Sequence, residues 1–252
     1  MTYYIESLSH QGNYRKNNED AISYGINASS GACWMLVADG MGGHNAGEVA
    51  SNMLIEHVEQ QWDLLHKHTD NELLQKTDWP HWITTQLNQA NSRILTAATE
   101  NISQQGMGTT GVLMVICNHC CYIGWVGDSR AYLQSDEKLK QVTTDHTMIQ
   151  VLLNKGAITE LEAKNANTKN LLSQAIGVAE NIEVDTVSFD VKKDDVIMLS
   201  TDGLHDFMSE PDIKHYLSTF SEQNAICELM VEQSLTQLSK DNLTLGVIKL
   251  IS

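Results

Sequence analysis

The chain has 252 residues carrying 32 acidic against 16 basic side chains, a formal charge of -16. Such a field repels polyanions, which argues against nucleic acid or an anionic membrane as the partner. The length permits one large domain or two small ones, and no window approaches the about eighteen uninterrupted apolar residues that membrane insertion needs.

Met1-Thr2-Tyr3-Tyr4-Ile5-Glu6 lacks the basic segment and apolar core of a secretory signal. The five cysteines are odd in number and sit mostly among apolar neighbours, as buried thiols in a reducing compartment do. A cytoplasmic location is expected.

In chain order, residues 3–9, 21–26 and 33–38 read as strands, the third ending abruptly at Asp39-Gly40. Residues 46–62 switch to helical period, with Val49, Met53 and Val58 on an apolar stripe, and residues 82–98 form a second such helix. The polar stretch 67–80 between them reads as an irregular connection or a short extra helix. Residues 109–117 and 120–126 are branched and apolar around Asn118-His119, the pattern of a hairpin, and 131–134 continues as a shorter strand. Residues 146–154 are expected to be helical, and 155–170 is polar and ill-defined, so that 146–170 as a whole reads as a flap. Strands return at 182–189 and 196–200, Pro211 opens a short helix, 222–238 forms a longer one, and 243–250 is a closing strand. No repeat or linker divides this pattern. One domain over 1–252 is expected, with two packed sheets flanked by helices rather than strand-helix units around a parallel sheet.

Chemistry collects at abrupt polar junctions. Asp39 follows an apolar strand and precedes Gly40; Asp202 repeats the arrangement before Gly203. A sheet holds such a carboxylate firmly while the glycine lets backbone oxygen approach a ligand. Asp-Gly is also a common turn, so either corner alone says little. Asn18-Glu19-Asp20, Gly127-Asp128-Ser129-Arg130 and Asp241-Asn242 add three more acidic corners against apolar strands. An oxygen-rich set suits magnesium or manganese, not zinc.

Three other motifs fail on context. Gly106-Met107-Gly108-Thr109-Thr110-Gly111 matches G-x-G-x-x-G, but polar residues precede it and a strand follows, where nucleotide binding needs a strand before the glycines and a helix after them. Cys117-Asn118-His119-Cys120-Cys121 straddles a tight turn with no second ligand pair, so hairpin packing explains it. Asp145-His146 has no serine nucleophile in a G-x-S-x-G elbow and reads as a turn before a helix.

Taken in order, the segments Gly12 to Asp20, Val37 to Glu48, Gly106 to Thr110, Gly127 to Tyr132, Leu199 to Leu204 and Asp241 to Thr244 resemble the metal-dependent protein phosphatases of the PPM type, also called protein phosphatase 2C, in their bacterial form. The resemblance spans nearly the whole chain. It implies an α+β fold, a four-layer α-β-β-α sandwich with two central, mainly antiparallel sheets. It also implies two Mg2+ or Mn2+ ions at one end, with a weaker third. By motif correspondence Asp39 bridges both ions, Asp202 and Asp241 serve the first, and Glu19 with the Gly40 carbonyl serves the second. Asp20 orders these ligands from behind, Asp128 with Asp202 binds the third ion, and Arg15 holds the phosphate.

The implied reaction is hydrolysis of phosphoserine and phosphothreonine in proteins by a metal-activated water, opposing a cognate serine/threonine kinase acting on the same substrates. Two alternatives stand beside it: a non-catalytic module that binds phosphoproteins, and a phosphatase specialised for an anti-sigma-factor antagonist. Met41 occupies the place of a histidine proposed as leaving-group acid in eukaryotic relatives, which leaves the proton donor unnamed; metal-bound water is one candidate, and His44, His146 and His205 are others. Ala166-Asn167-Thr168-Lys169-Asn170 replaces a His-Pro-x-Arg-Asn-like segment of bacterial relatives, which implies altered flap order or substrate preference.

Overall fold

The computed structural model describes residues 1–43, 46–68, 74–166, 171–221 and 223–251. Two antiparallel sheets stack at its centre. One has the order β1 (Tyr3–His10), β11 (Leu243–Leu250), β10 (Val196–Ser200), β7 (Arg130–Ser135), β8 (Lys138–Gln141). The other runs β2 (Asp20–Ile26), β3 (Cys33–Met41), β5 (Gly111–Cys117), β6 (Cys120–Val126), β9 (Asp185–Asp190), with β4 (Gly108–Thr109) added to the end of β3.

The apolar runs in the central strands follow from burial on both faces. In β3, Cys33, Met35 and Val37 enter the core between the sheets, while Trp34, Leu36 and Ala38 face the helices outside. Ile197 and Leu199 of β10 point inward, and Val196 and Met198 point to the opposite outer layer. Outside the β3 sheet lie α1 (Ala46–His68) and α2 (Trp79–Glu100). Buried Ala46, Ala50, Leu54, Val58 and Trp62 recur every fourth residue along α1, which turns one face of that helix onto the sheet. Outside the other sheet lie α6 (Glu210–Thr219) and α7 (Ile226–Thr236), which bury Ile213, Leu217, Ile226 and Met230. The order helix, sheet, sheet, helix is therefore the expected four-layer sandwich.

The structure corrects several boundaries. The third strand does not stop before Asp39: Gly40 pairs with Thr109 and Met41 with Gly108, so β3 continues through the corner. The strand expected over 109–117 is accordingly split into β4 and β5. Helix α2 begins at Trp79 because Asp78 caps it, accepting from His81 N at 3.1 Å, with Pro80 in the first turn. The ill-defined stretch after residue 155 contains α4 (Glu160–Asn165), closed by a reciprocal cap between Thr159 and Glu162. It follows α3 (Met148–Asn154), whose cap is Thr147. Between β5 and β6, Asn118 and His119 both take left-handed backbone (φ 51 and 59), the two-residue turn expected of that hairpin. Residues 69–73 of the irregular connection and 167–170 of the flap lie outside the described residues. Among the described residues, no helix is long and apolar enough to cross a membrane.

Candidate active site

The acidic corners come from both sheets and meet at one end of the sandwich. Asp20 opens β2 and stands opposite Asp39 in the β2–β3 register. Asp128 follows β6, Asp241 precedes β11, and Asp202 begins the short helix α5 (Asp202–His205) directly after β10. Arg15 and Glu19 lie on the loop between β1 and β2. A cleft of about 360 Å³ is lined by Arg15, Glu19, Asp39, Gly40, Asp128, Asp202 and Asp241 together. Asp20 does not line it: its carboxylate is buried behind the cleft and accepts from Thr201 Oγ1 at 2.9 Å.

Residues that sequence reading left without a role hold these groups. Asn242 accepts from Glu19 N at 2.9 Å through Oδ1, and its Nδ2 donates to the carbonyls of Gln11 and Asn17 at 2.8 and 2.9 Å. One buried amide thus fixes the loop that presents Arg15 and Glu19. Thr110 accepts from Asp39 N at 3.0 Å, shares a 2.7 Å hydrogen bond with Ser129 Oγ, and its own N donates to Asp39 O at 2.8 Å. It therefore ties the Asp39 corner to the Asp128 loop. Gly40 and Gly47 press backbone on backbone. A Cβ on Gly40 would lie 2.1 Å from Gly47 O, and one on Gly47 would lie 2.7 Å from the Gly40 carbonyl carbon and 2.9 Å from Glu19 Cδ. Only glycine at both places lets the start of α1 approach the cleft so closely.

Burial and mutual repulsion dominate the electrostatics. Burial holds the Asp39 carboxyl well above its ordinary range, and Asp20, Asp202, Asp128 and Asp241 add to the effect. Burial likewise pushes Asp128 up to about 8, with Asp202 next in effect, and Asp202 up to about 6, with Asp241 next. Asp20 is pushed up to about 7 by burial, against the opposing hydrogen bonds of Thr244 and Thr201. Glu19 is raised by burial and drawn back by Arg15.

This donor set fits hard divalent cations, because bound positive charge would offset the burial and mutual repulsion that raise these carboxyls. Among the described residues, no three His, Cys, Asp or Glu side chains converge tightly enough to enclose an ion unaided. Backbone carbonyl and retained water would have to complete any shell formed here, as magnesium and manganese permit.

No described histidine is placed to donate a proton to a leaving group in this cleft. His205 is buried, bonded to Ser200 Oγ at 3.0 Å, and burial drives its pKa well below the ordinary value. His146 has both ring nitrogens engaged elsewhere. His44 lies outside the described residues. Beside the cleft, and sharing Asp128 and Asp202 with it, a larger groove of about 850 Å³ runs between β7, α3 and α4. Arg130 on its wall is committed to Asp145, with Nη2 to Oδ2 at 2.6 Å and Nε to Oδ1 at 2.9 Å.

A family model described as protein phosphatase 2C matches residues 9–239. The chain is similar to the serine/threonine phosphatase stp of Listeria monocytogenes serovar 1/2a, 32% identical over 255 residues, covering 94% of this chain and 99% of the relative. Among solved structures it is similar to the Mycobacterium tuberculosis serine/threonine phosphatase PstP/Ppp, with a TM-score of 0.86, 29% identity, and 100% of both chains covered. It is also similar to the catalytic domain of serine threonine protein phosphatase PstP in complex with 2 manganese ions, with a TM-score of 0.83, 28% identity, and 99% of each chain covered.

Proposed function

We infer the following from the premise that this chain belongs to the protein phosphatase 2C family. It is a metal-dependent hydrolase of phosphoserine and phosphothreonine in proteins. The observation that carries the reading is the convergence of Glu19, Asp39, Asp202 and Asp241 in one cleft with Arg15 beside them.

Asp39, Asp202 and Asp241, with Glu19 and the Gly40 carbonyl, would hold two Mg2+ or Mn2+ ions, and Asp128 with Asp202 a weaker third. Such ions supply Lewis acidity that makes water nucleophilic near neutral pH and offsets charge on the phosphoryl oxygens. The chain's own part is positioning. Arg15 offers a planar pair of donors to two phosphoryl oxygens, which fixes phosphorus for in-line attack. Asp20, held by Thr201, supports the Asp39 corner across the β2–β3 pair. Water oxygen bonds to phosphorus, the ester P–O bond breaks, and the products are a side-chain hydroxyl and inorganic phosphate. The chain acts on phosphoproteins of the cytoplasm and opposes the kinase that modifies them.

The test is phosphate release from phosphoserine, phosphothreonine and phosphotyrosine peptides during a titration with Mn2+ or Mg2+. Multiple turnovers on the first two, dependent on the ion, are expected. Phosphopeptide binding without turnover would establish a binding module in place of an enzyme.

A further inference from the structure

His146 lies outside the roll of cleft residues, yet three elements meet on its ring. Gly127 N donates to its Nδ1 at 3.2 Å, and Gly127 O accepts from the His146 backbone N at 2.9 Å. On the far side of the ring, Nε2 lies 3.2 Å from Asp185 Oδ2, and the ring stacks on Trp125 with centroids 6.2 Å apart. The His146 carbonyl in turn accepts from Ser173 N at 2.8 Å, beside Leu172 of the cleft wall.

These contacts determine the tautomer. A ring nitrogen that accepts from a backbone N–H carries a lone pair, so Nδ1 is bare and the ring proton sits on Nε2, donated to Asp185. The imidazole is then an acceptor toward the Gly127 corner and a donor toward β9, and it has no proton to give a substrate. Gly127 itself takes a left-handed φ of 106, and a Cβ there would meet Thr110 Cγ2 at 2.6 Å. The corner is gripped by Thr110 on one side and His146 on the other, and the next residue is Asp128.

We propose that His146 is a positioning residue: it fixes the Gly127 peptide through Nδ1 and thereby aims Asp128 into the cleft. The proposal rests on the metal-dependent reading of that cleft. Its specific content is that the Nδ1 acceptor matters and the contact to Asp185 only orients the ring. His146→Asn retains an acceptor near the Nδ1 position, whereas His146→Gln reaches toward Asp185 and offers none there.

The experiment has two arms. Long-range 15N correlation spectra of the metal-free wild type are expected to show the ring proton on Nε2. Calorimetric Mn2+ binding and turnover of a phosphothreonine peptide are then compared in the two variants. His146→Gln is expected to lose about 10–100-fold in affinity at the weaker Mn2+ site that Asp128 would serve, and in kcat, the usual cost of removing a group that orients a metal ligand, with His146→Asn keeping most of both. KM for the peptide, governed by Arg15 on another loop, should move less than about twofold. A proton on Nδ1, or Asn and Gln variants that bind Mn2+ alike, overturns the proposal. A wild type that binds Mn2+ without turning over phosphopeptide overturns the phosphatase reading instead, and the comparison of Mn2+ binding still stands.

Discussion

Arg15 Nη2 donates to Asp241 Oδ2 at 2.6 Å, so the expected phosphate-binding cation and an expected metal ligand are paired with each other. The side chains are 48% and 35% exposed, and a pair so wet contributes only about 0–1 kcal/mol to stability. Its importance is functional, since an ion on Asp241 and phosphate on Arg15 would divide the two partners between them. Arg15→Ala should therefore barely change the melting temperature and should raise KM for phosphopeptides by about tenfold or more, the loss of one charge-assisted contact. Arg15→Lys should recover only part, because an ammonium cannot hold two oxygens in a plane. Steady-state kinetics with a thermal melt of each variant checks this.

By motif correspondence Asp39 would serve both proposed ions. At saturating Mn2+, Asp39→Asn should lower kcat by more than about 100-fold, above the 10–100-fold typical of removing a group that merely orients a ligand. Unchanged phosphate release would remove Asp39 from its assigned role.

The buried carboxyls give the metal-free chain an unusual pH dependence. Asp202 at about 6, Asp20 at about 7 and Asp128 at about 8 all lie above the unfolded carboxylate value, so the folded state holds protons that the unfolded state has released. Their contribution to stability is present at low pH and is lost as pH rises through these values. In chelator, the melting temperature should fall between pH 6 and 8. With Mn2+ present that slope should flatten, because the ions replace the protons.

Thr110 is buried, and both its hydroxyl contacts serve the site. Thr110→Val preserves shape but leaves Asp39 N–H and Ser129 without that partner, at a cost of about 1–3 kcal/mol for each group left unsatisfied. Thr110→Ser should be close to wild type. Denaturant melts and kcat measured together should show stability and turnover falling in the valine variant and recovering in the serine one.

Gly47→Ala should be similarly damaging, since the added methyl would press on the Gly40 carbonyl and Glu19. Overpacking of this kind costs about 1–3 kcal/mol, and the accompanying shift of Glu19 should weaken Mn2+ binding measured by calorimetry.

Strands and acidic corners were legible because apolar runs stop sharply at Asp39, Asp128 and Asp202, and the hairpin because Asn118-His119 separates two such runs. What escaped had weak or distant signals. Strand β8 has a single apolar residue, Leu139, in Lys138-Leu139-Lys140-Gln141 and is set by pairing with β7. Helix α4 carried a readable sign in Thr159 and Glu162, three residues apart, yet its composition reads as loop. The clamp made by Asn242 joins residues more than two hundred positions apart, Glu19 among them at a separation of 223, and no local pattern announces such a partner.

The pairing of Tyr3 with Leu250 and His10 with Leu243 joins the first strand of the fold to its last. Closing so long a loop is slow, and refolding on the order of milliseconds to seconds is the expectation for topologies ruled by such distant pairings. Arg15 follows β1 and Asp241 precedes β11, so the mouth of the cleft assembles only when that pairing is made. Trp34, Trp62, Trp79 and Trp82 gather around the other sheet and its helices. In stopped-flow refolding, tryptophan emission should therefore recover before catalytic competence does.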